Sequence, residues 1–173
     1  MLANAAGVMP DSLIFKADQQ FFERGLDGVD AVVHGRHSHE RQPRSHLRPR
    51  LVVTRQVAAT AADPSNDQAL FWNPAGTSFE QALATLGVVG GSVAIIGGTN
   101  VFGMFLGQYD SFYLTRVPNV CLPGGRPVFP GVPLQTPEDL LTSNGLRSGP
   151  RQVLDAANDL AMVAWQRARN DLP

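Results

Sequence analysis

The sequence predicts an α/β fold: a central mixed sheet, mostly parallel, flanked by helices on both faces. Three observations predict it. Short β-branched or apolar runs alternate with segments of helical period along most of the chain. The run Ser92-Val93-Ala94-Ile95-Ile96 has the continuous apolar character of a strand covered on both faces. Hydrophobic residues make up 43% of the 173 positions, enough for a packed core and too many for a disordered chain.

Residues 1–5 form a short apolar run that reads as a clipped first strand, followed by a loop through Ser12. Lys16 to Leu26 reads as a helix, because Phe15, Phe22 and Leu26 recur at spacings of 7 and 4. Val29 to His34 is strand-like and ends at Gly35, and Leu51-Val52-Val53-Thr54 is a second β-branched run. The polar stretch Asp63 to Asp67 predicts a surface loop, with a brief strand at Leu70-Phe71-Trp72. Thr77-Ser78-Phe79-Glu80 has the form of a capping box, with Thr77 as N-cap and Glu80 reaching back. Beyond the strand at 92–96, Asn100 to Gln108 reads as a helix and Phe112 to Val117 as a strand. Thr136-Pro137-Glu138-Asp139 opens a short helix closed by Asn144-Gly145. Gly149-Pro150 is expected to open a last helix, with Val153, Ala157, Leu160, Ala161 and Ala164 as its apolar stripe. The expected division is a main domain over residues 1–135. A C-terminal helical extension over 136–173 would pack on the same domain or on a partner subunit.

Composition excludes several classes of protein. The single Cys121 leaves no intrachain disulfide and no four-cysteine zinc site. Residues 86–107 lack charge but hold seven glycines, which argues against a membrane-spanning helix. The N-terminus lacks a basic and long apolar leader, so a cytoplasmic location is expected. The net charge of -1 conceals an asymmetry: residues 34–55 carry all four histidines and six arginines against one acid, Glu40. His34, His37 and His39 invite a metal reading, but their spacing points them in different directions and no downstream ligand set completes a site. A nucleic-acid patch is disfavoured, because Pro43 and Pro49 break the stretch and the nearby phenylalanines read as core.

Two sites of possible chemistry remain. In Ile95-Ile96-Gly97-Gly98-Thr99-Asn100-Val101 a buried strand runs into two glycines and a helix start. There a backbone without Cβ atoms admits a phosphate; the plainer alternative is a tight turn capped by Thr99. The G-x-G-x-x-G dinucleotide pattern is absent. A second strand–glycine–helix junction carries Arg36 and His37, and Arg36 with Arg55 is placed to bracket a phosphomonoester. A solvated arginine face is the duller alternative, and Arg41 and Arg44 read as plain loop surface. Asp18, flanked by Phe15, Phe21 and Phe22, either complements the helix dipole or faces a partly apolar cleft where it orients a heterocycle.

Taken in order, these segments resemble the dihydrofolate reductase-like superfamily, which includes the reductase domain of riboflavin-biosynthesis deaminase-reductases. The resemblance rests on Gly7-Val8-Met9, Ala17-Asp18 to Phe22, Val32 to Ser38, Leu51 to Arg55, Ile95 to Phe102, Phe112 to Thr115 and Gly124 to Pro130. It implies an NADPH-dependent reductase that passes hydride to a small pterin or aminouracil-ribitol substrate lying over the 96–98 turn. It places Gly35, Arg36, His37, Ser38, Thr54 and Arg55 at the cofactor 2′-phosphate. Ile96, Gly97, Gly98, Thr99, Asn100 and Val101 would stand at the pyrophosphate. It makes Asp18 the substrate-gripping carboxylate with Thr115 as its neighbour, and maps the folate-tail arginine to Arg48. Residues 9–15 lack the Leu-Pro-Trp segment of folate reductases, and Gly124 to Pro130 is closer to the riboflavin-type enzymes. The expected partners are a small-molecule substrate and a second copy in a homodimer, with no nucleic acid, membrane or metal. The rival from another class is a non-catalytic nucleotide-binding protein of the same fold.

Overall fold

The β-branched runs that alternate along the first hundred residues pair side by side in the computed structural model, which describes residues 2–38 and 42–168. The chain forms two compact units. Phe22–Phe102 makes one, and the residues up to Phe21 together with those from Gly103 make the other.

The first unit holds a five-stranded sheet. Its strands are β1 (Ala31–Gly35), β2 (Arg50–Val53), β3 (Thr60–Asp63), β4 (Asn66–Trp72) and β5 (Val93–Gly97), in the spatial order β3-β4-β2-β1-β5. All neighbours are parallel except β3, which runs antiparallel to β4. The sheet is therefore mostly parallel and mixed, as the alternation predicts. Val32, Val33 and Leu51 are fully buried; each such side chain contributes about 1.5–3 kcal/mol relative to exposure. Helix α1 (Lys16–Leu26) enters this unit at its C-terminal end and buries Leu26. Helix α2 (Phe79–Thr85) buries Ala82 completely, and Phe79 lies 5.6 Å from the Trp72 ring. Helix α3 (Thr99–Met104) follows β5 after one residue.

The second unit carries an antiparallel sheet of β6 (Ser111–Arg116), β7 (Leu146–Asp155) and β8 (Leu160–Arg167), in the order β6-β8-β7. Helix α4 (Pro137–Ser143) starts at a capping box formed by Thr136 and Asp139, with Pro137 at its first position, and ends at Asn144-Gly145 as expected. Phe129, fully buried, lies 5.1 Å from the Phe112 ring, which in turn meets Tyr109 at 5.3 Å. Arg167 donates to the carbonyls of Tyr109, Asn144 and Gly107, tying the α3–β6 connection to the end of α4 with one guanidinium.

Several expectations are corrected. The last helix does not form: residues 146–167 make the β7–β8 hairpin, closed by a turn through Ala156–Asp159. Central β8 buries Leu160, Ala161 and Met162 in succession. A strand covered on both faces gives a run without alternation, which mimics helical spacing. Edge strand β7 tolerates Pro150 because its register is interrupted between Ser148 and Arg151. The helix cap at α2 is Ser78 with Gln81, one residue beyond Thr77 and Glu80. Of the stretch Asp63 to Asp67 only Pro64 and Ser65 form the turn of the β3–β4 hairpin, and β4 starts at Asn66 instead of Leu70. Helix α3 stops at Met104, short of Gln108, with Gly103 at its end. Among the described residues of the segment 1–5, the one sheet pairing is the isolated bridge Ala3↔Arg126. Strand β5 is a sheet edge whose residues before Gly97 are half-buried. Among the described residues no helix is long and apolar enough to cross a membrane.

Candidate functional site

Strand order turns three distant segments into one edge. Because β1 lies between β2 and β5 with all three parallel, their carboxyl ends emerge together. Gly35 pairs with Val53, His34 pairs with Gly97, and the Arg36 amide donates to the Val53 carbonyl at 3.3 Å. Thr54 and Arg55, Arg36 to Ser38, and Gly97-Gly98 therefore line one side of the sheet. In open α/β sheets this edge is where ligands bind.

Gly97 and Gly98 stand where a side chain would crowd its neighbours, whereas Gly35 has room for one. A Cβ on Gly35 would meet Val101 Cγ2 at 3.4 Å, with the Gly97 carbonyl and Gly98 amide both at 3.9 Å. A Cβ on Gly98 would stand 3.0 Å from Ser38 Oγ. Gly97 has φ +106°, and a Cβ there would meet the Phe102 ring at 2.8 Å. The Gly97–Gly98 peptide is cis. Ser38 is fixed from β1 by its amide, which donates to the Gly35 carbonyl at 2.8 Å. The result is a backbone cradle with a hydroxyl beside it.

Charge is supplied at the same edge. Arg36 and His37 are exposed, and Arg36 Nη2 donates to His37 Nε2 at 3.1 Å. Arg55 is exposed at the end of β2, while buried Thr54 accepts from the Gln56 amide at 3.2 Å and sends its own amide to the Trp72 carbonyl. These residues suit a bound anion: two guanidinium forks and two hydroxyls flank a backbone that lacks Cβ atoms. Arg36 and His37 lie in a turn, where the sequence suggested a helix start.

Asp18 and Thr115 lie together in the other unit. Thr115 Oγ1 donates to Asp18 Oδ1 at 2.7 Å, bridging α1 and β6. The Phe21 ring meets Tyr113 edge-on at 5.4 Å. Asp18 is half-buried.

Other candidates have different employment. Arg48 is buried, donating to Asp27 Oδ1 at 2.8 Å and to the Pro43 carbonyl, and Arg44 joins the same carboxylate. Its place is thus an internal ion pair, which competes with the substrate-tail contact implied by the resemblance. Buried His34 donates through Nδ1 to the Gly35 carbonyl at 3.0 Å. Among the described residues no three His, Cys, Asp or Glu side chains gather at a metal-holding distance; His39, Glu40 and Arg41 lie outside those residues. Phe102 belongs to a segment that carries the resemblance but was given no role in the site; its ring backs Gly97. Sequence reasoning missed a cavity of about 460 Å³ on the sheet face bearing His34, Arg50, Val52 and Phe71, with Arg36 and Asp63 in its lining. The polar residues of that face carry no periodic signal that would announce a cavity.

No protein-family model matches the chain, and no curated protein does. Solved structures do. The chain is similar to dihydrofolate reductase from Enterococcus faecalis complexed with NADP(H) and RAB-propyl. Identity is 20% and the TM-score 0.55, over 92% of this chain and 85% of that one. It is also similar to a diaminohydroxyphosphoribosylaminopyrimidine deaminase/5-amino-6-(5-phosphoribosylamino)uracil reductase from Thermotoga maritima. There identity is 15% and the TM-score 0.63, over 96% of this chain and 53% of that one, so this chain spans about half its length. The chain has the dihydrofolate reductase-like fold.

Proposed function

We propose that the chain is an NADPH-dependent reductase that transfers hydride to a small heterocyclic substrate of the pterin or aminouracil-ribitol type. The observation that carries the proposal is the carboxyl edge of β2, β1 and β5, where Gly97-Gly98, Ser38, Arg36 and Arg55 converge. The Enterococcus neighbour holds NADP(H) on the same fold, which supports the choice of ligand.

When bound, NADPH supplies the hydride, as nicotinamide cofactors do. The chain's residues do the rest. Gly97 and Gly98 let the backbone approach the pyrophosphate, and Ser38 presents its hydroxyl beside them. Arg36 and Arg55, with His37, neutralise the 2′-phosphate and so distinguish NADPH from NADH. Asp18 accepts hydrogen bonds from the N–H groups of the substrate ring and so favours protonation of the ring by solvent water, which balances the hydride. Thr115, by donating to Oδ1, fixes the carboxylate and leaves Oδ2 for the substrate. Arg48 stays with Asp27, and a tail carboxylate would have to displace that pair.

Turnover of dihydropterin and aminouracil substrates with NADPH, followed by absorbance loss at the cofactor band, tests the reading. Oxidation of NADPH with any one of them supports it. The rival reading, a nucleotide-binding protein without catalysis, draws on the first segment, whose described residues contribute one bridge in place of a strand. NADPH binding without turnover of any substrate would favour that rival. The homodimer and the cytoplasmic location belong to the same proposal, and light scattering on the purified chain checks the first.

A further inference from the structure

We propose that Arg126 is a specificity-determining residue that recognises an anionic group, phosphate or carboxylate, on the substrate. The inference rests on the reductase reading and concerns the unit that carries Asp18 and Thr115. Arg126 is the central residue of Gly125-Arg126-Pro127. Its backbone is fixed from both sides: the Leu2 amide donates to its carbonyl at 2.7 Å, and its amide donates to the Ala3 carbonyl at 2.9 Å.

Its side chain is placed with equal care. The guanidinium lies against Gly7, where a Cβ would stand 2.6 Å from Cζ, 2.8 Å from Nη2 and 3.0 Å from Nε. Gly7 has φ +83°, a backbone that disfavours side chains. It ends a tight loop in which the Gly7 amide donates to the Asn4 carbonyl and the Val8 amide to Asn4 Oδ1. The arginine is thus seated on peptide backbone and not on a counter-ion.

Arg116 pairs with Glu138, Arg151 with Asp159, and Arg167 caps three carbonyls. Among the described residues the Arg126 side chain makes no hydrogen bond and no ion pair, although it is exposed. Arg147 is exposed and, among the described residues, makes no hydrogen bond or ion pair either, so what sets Arg126 apart is its seat on Gly7. A guanidinium held flat, charged and open presents its fork to a carboxylate or phosphate. Seating it on Gly7 lowers the entropy cost of engaging that anion.

The experiment compares affinities within two pairs of compounds that differ by the anion. One pair is 5-amino-6-(5-phosphoribosylamino)uracil and its dephosphorylated form; the other is dihydrofolate and a 6-methyl dihydropterin without the glutamate tail. Calorimetry on the full chain should show the anionic member of at least one pair binding about tenfold tighter, and which pair does so identifies the anion. In Arg126→Met, which keeps the stem over Gly7, that gap should close to within about twofold, with the neutral member unchanged. Inorganic phosphate should compete with the anionic member alone in the unsubstituted protein, a readout that needs no variant to fold. Equal affinity within both pairs overturns the proposal, as does an Arg126→Met variant that weakens both members alike, or no binding of any of the four. An NADPH titration run alongside separates the two ideas: failure to bind NADPH removes the reductase reading, whereas normal NADPH binding with no anion preference removes only the role of Arg126.

Discussion

Replacing Gly98 by alanine adds one methyl group to the proposed cofactor cradle and little else. Gly98 needs no left-handed backbone, and the single atom within 4 Å of its new Cβ would be Ser38 Oγ, at 3.0 Å. A hydroxyl can shift by the few tenths of an ångström required, so the loss of stability should be about 0.5–1 kcal/mol. The same methyl would occupy the space through which a pyrophosphate meets the backbone. NADPH affinity should therefore fall about 10- to 100-fold, equivalent to about 1.4–2.7 kcal/mol. Titration calorimetry reads the affinity and thermal unfolding reads the stability on the same sample. The double variant Ser38→Ala, Gly98→Ala should recover the stability and not the affinity, because it removes the contact but keeps the methyl. Gly97→Ala makes the contrast: with φ +106° and the Phe102 ring 2.8 Å away, it should lose about 1–3 kcal/mol of stability outright. An NADPH dissociation constant within twofold of the original in Gly98→Ala would refute the assignment of the cradle.

Asp18→Asn should lower kcat/KM by at least about 100-fold while NADPH affinity holds, and an unchanged rate removes the carboxylate from the mechanism. Thr115→Val deletes one hydrogen bond to that carboxylate and should cost about 1.5–3 kcal/mol of transition-state stabilisation, seen in steady-state kinetics. Burial holds the Tyr109 phenol well above its ordinary value of 10, so it stays protonated in the folded chain while the unfolded chain ionises it. Protons are then bound more by the folded state, and stability should fall as pH climbs past 10. Urea unfolding between pH 9 and 11.5 should show that decline, and Tyr109→Phe should flatten it.

Much of the first unit is legible in the sequence because its strands are short, β-branched and punctuated by glycine. Val32, Val33, Leu51 and Val52 are buried as their runs suggest, and Gly35 and Gly97 stand at their ends. What the sequence does not print is strand order. That β1 lies between β2 and β5 is a property of crossovers, and this adjacency alone brings Arg36, Arg55 and Gly98 to one edge. The second unit is harder to read for a different reason. Central strand β8 is apolar on both faces at Leu160 and Ala161, and its turn at Ala156–Asp159 is rich in alanine, so the hairpin imitates a helix. Strand β3, with Thr60, Ala61 and Ala62, has almost no β-branched signal and forms because β4 offers it a partner. The Asp18–Thr115 contact spans 97 residues, and the resemblance paired the two where local pattern could not.

We propose that the edge formed by β2, β1 and β5 binds a 2′-phosphorylated dinucleotide. Parallel titrations of the unsubstituted chain and Arg36→Ala with NADPH and NADH test this binding. NADPH should bind at least about tenfold tighter than NADH to the unsubstituted chain, and Arg36→Ala should erase most of that preference while leaving NADH affinity in place. Equal binding of the two cofactors, or equal loss of both in Arg36→Ala, would contradict it.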